Sequence, residues 1–133
     1  MHWLVDTNII SLALRKQQGI EDRLRDMPMD ELALSASVQA EGWTGAWKSP
    51  HPERWLALWH ALVGGWTVLP FDARCADRYA RLRADLERAG QMIGIHDCQI
   101  AATALVHDLV LVTANQAEFA RVPGLRVENW AAG

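Results

Sequence analysis

Acidic and amide side chains stand at the ends of several predicted strands. Asp6 follows the apolar pair Leu4-Val5, and Asn115 follows the apolar run 109–112. Asp97 opens the predicted helix that leads into this run. Because ligands of parallel α/β sheets bind at the carboxyl ends of the strands, we expect Asp6, Asp97 and Asn115 at one edge of a sheet.

Glu41 lies one turn into the helix that follows the second predicted strand, and its longer side chain can reach the same edge. Carboxylates gathered at one place repel one another. That repulsion is relieved by protonating some of them or by binding a hard cation through oxygen ligands. The pattern therefore predicts a site for Mg²⁺ or Mn²⁺.

Strands and helices alternate along the chain. Short β-prone or apolar runs, typical of strands, occupy residues 4–5, 32–34, 67–69, 109–112 and 125–127. Helical spacing is found in two short segments before Pro28 and over 38–47, 55–63, 73–89, 98–107 and 117–120. This alternation predicts parallel pairing with right-handed crossovers, and hence an α/β protein with a three-layer α/β/α sandwich and a mainly parallel central sheet.

The length of 133 residues, with 50% hydrophobic and 22% charged residues, fits one domain over residues 1–133 and excludes a disordered chain. No run approaches the ~18 apolar residues of a membrane span, and an acid at position 6 is foreign to a signal peptide. We therefore expect a cytoplasmic protein. With 13 Lys and Arg against 16 Asp and Glu, the net charge is −3. A nucleic-acid substrate then requires metal ions or a local basic patch.

The segment 4–11, LVDTNIIS, resembles the opening of PIN-domain ribonucleases, in particular the VapC-type toxins. Later blocks resemble the rest of the family's pattern, in the same order and over nearly the whole chain. They are 34–36 with Ala40-Glu41 and Gly45, then 68–72, 93–104 around Asp97, and 111–119 around Asn115.

The resemblance implies a metal held by Asp6, Glu41 and Asp97, with Asn115 completing the catalytic site. It also implies supporting residues that orient the carboxylates, namely Thr7, Asn8, Thr113 and Glu118. Asn115 stands where some members of the family have Asp, so one negative charge is absent. Gly42 and Trp43 also depart from the family pattern, and Gly42 lowers the helix propensity around Glu41 by roughly 1 kcal/mol relative to Ala.

By the same resemblance, the chain is expected to be a metal-dependent endoribonuclease and the toxin of a toxin–antitoxin pair. Bound Mg²⁺ or Mn²⁺ polarises a phosphoryl oxygen and activates a water for hydrolysis of RNA. The implied partners are a VapB-like antitoxin and a second copy of the chain in a homodimer. An antitoxin Arg or Lys entering the acidic site would displace the cation.

Two other functions stay open at this stage. A PIN-like binding module with a decayed site is compatible with Asn115 and with the Gly42-Trp43 departure. An aspartyl-nucleophile phosphoryl-transfer enzyme is disfavoured, because Asp6-Thr7-Asn8 lacks a second Asp. His96 is expected on a surface loop, and one of the pairs Trp43/Trp47 and Trp55/Trp59 is a candidate for an interface.

Overall fold

The structure, a computed structural model, describes residues 1–131. Its five strands are β1 (Trp3–Val5), β2 (Leu32–Ser35), β3 (Thr67–Leu69), β4 (Val110–Val112) and β5 (Val127–Glu128). Its seven α-helices are α1 (Thr7–Leu14), α2 (Ile20–Arg25), α3 (Ala36–Lys48), α4 (Pro52–Val63), α5 (Ala73–Arg88), α6 (Ile95–Val106) and α7 (Gln116–Phe119). Within these residues no helix has both the length and the apolar composition to cross a bilayer.

The five strands form one sheet in the order β3-β2-β1-β4-β5, and every pair is parallel. The chain moves from β1 outward through β2 to β3 and then crosses back to β4 on the other side of β1. The carboxyl ends of β1 and β4 therefore flank the point where the strand order reverses. In open α/β sheets this is where ligands bind.

Right-handed crossovers place α1 to α4 on one face of this sheet and α5 to α7 on the other. Helix α1 packs against α2 and α3, and α5 packs against α6. The predicted three-layer α/β/α fold with a parallel sheet is confirmed. The central strands are buried on both faces, since Leu4, Leu34 and Leu111 have no solvent exposure.

Side-chain caps start helices at the strand ends. Asp6 accepts a hydrogen bond of 2.8 Å from the backbone N–H of Thr7, and Ser35 accepts one of 3.1 Å from Val38. Such caps satisfy N–H groups that have no partner within the helix. Helices α1 and α3 therefore begin directly at the edge of the sheet.

Several predicted boundaries are shifted. Helix α3 begins at Ala36 rather than Val38, because Ser35 alone is its cap and Ser37 lies in the first turn. Helix α6 begins at Ile95 rather than Cys98, which places three further residues, Ile95, His96 and Asp97, in its first turn. Strand β5 covers Val127–Glu128 rather than 125–127, since pairing with β4 begins only at Val127.

Gly42 allows α3 and α4 to pack closely. A Cβ atom at Gly42 would lie 2.2 Å from the ring of Trp59, well inside any allowed contact. The Trp59 ring is buried, and its Nε1 donates a hydrogen bond of 2.7 Å to Gln39 Oε1. The glycine that departs from the family pattern therefore makes room for an aromatic ring beside Glu41.

We expect Gly42→Ala to lower the free energy of unfolding by about 1–3 kcal/mol, because the buried Trp59 ring must shift to admit the methyl group. Gly45→Ala on the same helix is the matched control, since a Cβ there meets nothing within 4 Å. The control is expected to gain up to about 1 kcal/mol from helix propensity. Urea unfolding followed by circular dichroism measures both, and equal stabilities of the two variants would contradict the packing argument.

Candidate functional site

Asp6 is buried at the carboxyl end of β1 and is held by three donors. The backbone N–H of Thr7 donates to its Oδ1 at 2.8 Å, and Thr113 Oγ1 donates to its Oδ2 at 2.8 Å. Asn8 Nδ2 lies 3.5 Å from the same Oδ2. Burial raises the pKa of Asp6, and the hydrogen bonds from Thr113 and Thr7 oppose that increase without cancelling it.

Asn8 and Thr113 tie the end of β1 to the end of β4. Asn8 Nδ2 donates to Thr113 Oγ1 at 3.3 Å, and Asn8 Oδ1 accepts a bond of 3.1 Å from the backbone N–H of Ala114. The backbone N–H of Asn115 also donates to Thr113 Oγ1, at 3.1 Å. With its lone pairs engaged, the Thr113 hydroxyl hydrogen is directed at Asp6. This network fixes the carboxylate of Asp6 in one orientation.

Asp97 and Glu118 form a second pair of acids, from the first turn of α6 and from α7. Glu118 accepts bonds from the backbone N–H of Gly94 at 3.0 Å and from Asn115 Nδ2 at 2.7 Å. These bonds, led by that from Gly94, lower the pKa of Glu118. Burial, then the charges of Glu118 and Asp6, raise the pKa of Asp97 to about 6. The two carboxyl groups lie close enough for each to change the pKa of the other.

Glu41 lies at the exposed margin of the site, near enough for its charge to raise the pKa of Asp6. Its Oε2 is 2.6 Å from His96 Nε2, although the oxygen is out of line with the ring N–H direction. The prediction that His96 lies on a surface loop is wrong, because it occupies the first turn of α6 and is partly buried. Helix α6 therefore places His96 beside Glu41 and Asp97 beside Glu118, at the same edge of the sheet.

The sheet edge thus gathers the acids Asp6, Glu41, Asp97 and Glu118. Among residues 1–131, however, no three His, Cys, Asp or Glu side chains are grouped closely enough to hold one ion directly. Mg²⁺ commonly keeps several waters and uses only one or two carboxylates, so this donor set fits a hydrated divalent ion. The buried hydroxyl of Thr7, which has no hydrogen-bond partner in the described region, adds a further oxygen beside Asp6.

Asn115 and Glu118 form one unit in the structure, and the catalytic role predicted for Asn115 stays a prediction. The Asn115 side chain directs its amide hydrogens at Glu118, so Glu118 is the group that faces Asp97. An acid three residues after Asn115, on the same turn of a short helix, was the available signal. The contact with Gly94 that orients Glu118 spans 24 residues of sequence and has no local signature.

The sequence and the fold match a known class of protein. The family model described as PIN domain matches residues 3–125, and the chain belongs to the PIN-domain family. Within that family it belongs with the VapC ribonucleases. It is 34% identical to Ribonuclease VapC2 of Haemophilus influenzae over 131 residues, 98% of each chain. It is 35% identical to the tRNA(fMet)-specific endonuclease VapC of Shigella flexneri, over 98% of this chain and 99% of that one.

Solved structures agree with this placement. The chain superposes on DNA-bound VapBC from Salmonella typhimurium with a TM-score of 0.89 and 34% identity, covering 98% of each chain. It superposes on VapBC2 from Rickettsia felis, bound to a promoter DNA fragment, with a TM-score of 0.87 and 30% identity. That match covers 98% of this chain and 99% of the other.

The repulsion at Asp97 predicts a pH-dependent stability. Its folded pKa of about 6 lies above the ordinary value of 3.8, so ionising Asp97 opposes folding. The penalty is complete above about pH 6 and is relieved as the pH falls toward 4. We therefore expect the protein in metal-free buffer to be more stable at pH 5 than at pH 7 as far as this group is concerned.

Asp97→Asn should remove the penalty and raise the free energy of unfolding at pH 7 by about 1 kcal/mol, because solvent contact screens much of the repulsion. It should also flatten the stability profile between pH 5 and 7. Asp22→Asn, an exposed acid in the first turn of α2, controls for loss of a helix-dipole interaction. Thermal unfolding in EDTA across this pH range measures both variants. A less stable Asp97→Asn protein would refute the repulsion.

Proposed function

We propose that this chain is a divalent-metal-dependent endoribonuclease and the toxin of a toxin–antitoxin pair. The observation that carries the proposal is the set of acids at the carboxyl ends of β1 and β4, where burial and neighbouring negative charges together raise the pKa of Asp97. The similarity to proteins named VapC ribonucleases supports the activity, and the VapBC complexes support the antitoxin partner.

In this proposal Asp6 and Asp97 hold the ion, and Glu41 acts through water or as a base. Glu118 is the fourth acid of the site, and Asn115 positions Glu118 through a hydrogen bond. The donors are all oxygen atoms, which favours Mg²⁺ or Mn²⁺ over softer metals. When bound, the ion neutralises phosphate charge and lowers the pKa of water, which provides the nucleophile for phosphodiester hydrolysis.

In this proposal the residues around the ion have different roles. Thr113 and Asn8 keep Asp6 oriented, and the hydrogen bonds from Thr113 and from the backbone N–H of Thr7 favour its ionised form. Asp97 has to be ionised to hold a cation, and its raised pKa makes that ionisation less favourable than in a free carboxyl group. Glu41, at the exposed margin, is placed to accept a proton from the attacking water. A cation bound beside Asp97 would offset the cost of ionising it in the folded chain.

Asp6→Asn is expected to reduce RNA cleavage by about 100-fold or more while the protein stays folded, because metal catalysis contributes several kcal/mol to the rate. Sequencing of RNA 5′ ends after incubation with purified protein measures cleavage and reveals the target. EDTA should abolish activity, and Mg²⁺ or Mn²⁺ should restore it. Asp22→Asn should cleave normally. Metal-dependent cleavage that survives Asp6→Asn would contradict the assignment, and no cleavage by the unmodified chain would favour a binding module.

We also propose a VapB-like antitoxin that places an Arg or Lys among these acids, where a charge-assisted hydrogen bond replaces the cation. Excess Mn²⁺ is then expected to weaken antitoxin binding several-fold. Isothermal titration of the antitoxin encoded beside this chain, with and without Mn²⁺, measures the effect. An affinity that does not change with Mn²⁺ would show that the antitoxin binds away from the acids.

A homodimer is a further part of the proposal. Trp43 and Trp47 lie one turn apart on α3, and their exposed fractions are 45% and 65%. Because aromatic residues are enriched in interface cores, this pair is the candidate contact between copies. Trp59 is buried in the core and is therefore unsuited to that role.

A further inference from the structure

A polar groove leads away from Glu41 between α3 and α6. Thr44 and Lys48 line it from α3, and His96 and Gln99 line it from α6. On α3 the residues Glu41, Thr44 and Lys48 are spaced i, i+3 and i+7, so they share one face of the helix. Lys48 lies about 10 Å further along the axis than Glu41. The groove therefore begins at the acidic edge and ends at a positive charge.

The hydrogen bonds inside the groove decide which groups remain available for a ligand. Ser37 Oγ donates to Gln99 Oε1 at 3.3 Å, which directs the Gln99 amide hydrogens away from Ser37. The hydroxyl of Thr44 donates to the backbone carbonyl of Ala40 at 2.7 Å. Its donor is therefore already used. Besides the ring of His96, which faces Glu41, the groups left with hydrogens to offer are the ammonium of Lys48 and the amide of Gln99.

Lys48 is exposed, and no carboxylate of residues 1–131 lies within 4.0 Å of its ammonium group. The other lysine, Lys16, is paired with Glu21. The acid in the groove, Glu41, faces His96. Lys48 is thus a cation without a protein partner, at the end of a groove that starts at the proposed cleavage site.

A second groove lies on the other side of Glu41 and has a different character. It is lined by the rings of Trp55 and Trp59 and by Leu14, with Ser11, Arg15 and Ser49 among its polar members. Aromatic and aliphatic walls suit a peptide, whereas amide and ammonium donors suit phosphate oxygens. The second groove therefore combines apolar walls with the cation of Arg15, whereas the groove between α3 and α6 is lined mainly by polar side chains.

We propose that the groove between α3 and α6 binds the RNA strand next to the cleaved bond, with Lys48 and Gln99 donating to its phosphate oxygens. This inference rests on the proposed nuclease function. The chain carries a net charge of −3 and its site is acidic, so a polyanion needs local cations to approach. Lys48 is such a cation at one end of the groove, and the other end of the groove adjoins the acids at the edge of the sheet.

The test measures binding of a short fluorescein-labelled single-stranded RNA of mixed sequence by fluorescence anisotropy in Mg²⁺. An Asp6→Asn background prevents cleavage. Lys48→Gln is expected to weaken binding by about 5–10-fold and to reduce the slope of log K against log salt by about 0.7, the value for one phosphate contact on a single strand. Lys48→Arg should retain the affinity, since it keeps the charge. Lys16→Gln is the matched control and should match the parent.

In the cleavage-competent chain, Lys48→Gln should raise KM with little change in kcat, because a phosphate remote from the cleaved bond is bound equally in the ground and transition states. Unfolding curves exclude a purely structural role of Lys48 in the last turn of α3.

Equal RNA affinity and salt slope for Lys48→Gln and the parent would overturn the proposal. Weakened antitoxin binding with unchanged RNA binding would assign the groove to the protein partner instead. Absence of any RNA cleavage by the unmodified chain would contradict the proposed nuclease function. That outcome is distinct from a failure of the groove to bind RNA.

Discussion

Mutual repulsion of carboxylates at one edge of the sheet is the constraint on which the remainder of this molecule depends. Burial of Asp97, together with the charges of Glu118 and of the buried Asp6, raises the pKa of Asp97 to about 6. An arrangement of this kind opposes folding unless other interactions offset it. Functional sites commonly retain such strain, because the charge cluster that destabilises the fold is the one that binds the ligand.

The parallel sheet supplies the rigidity that this cluster requires. Strands β1, β2 and β4 are buried on both faces, so the residues at their carboxyl ends have little freedom to move apart. Asp6 also caps α1, and its ionised form is favoured by the N–H groups at the start of that helix. One side chain therefore serves both as a structural cap and as part of the acidic site.

Close packing of α3 on α4 determines where Glu41 stands. The absence of a side chain at Gly42 lets the ring of Trp59 approach, and Gln39 holds that ring through its indole nitrogen. The same packing separates the aromatic groove from the polar one. Glu41 lines both grooves and therefore lies where they meet.

Alternating apolar runs and helix caps were sufficient to predict the three layers, the parallel sheet and the positions of Asp6 and Asp97 at its edge. These features depend on hydrogen bonds and burial within a few residues, which leave a local pattern in the sequence. The partnership of Glu118 with Asp97, the approach of His96 to Glu41 and the need for glycine at position 42 left no such pattern. Each depends on how two elements distant in the chain pack together, and only the tertiary structure brings those elements into contact.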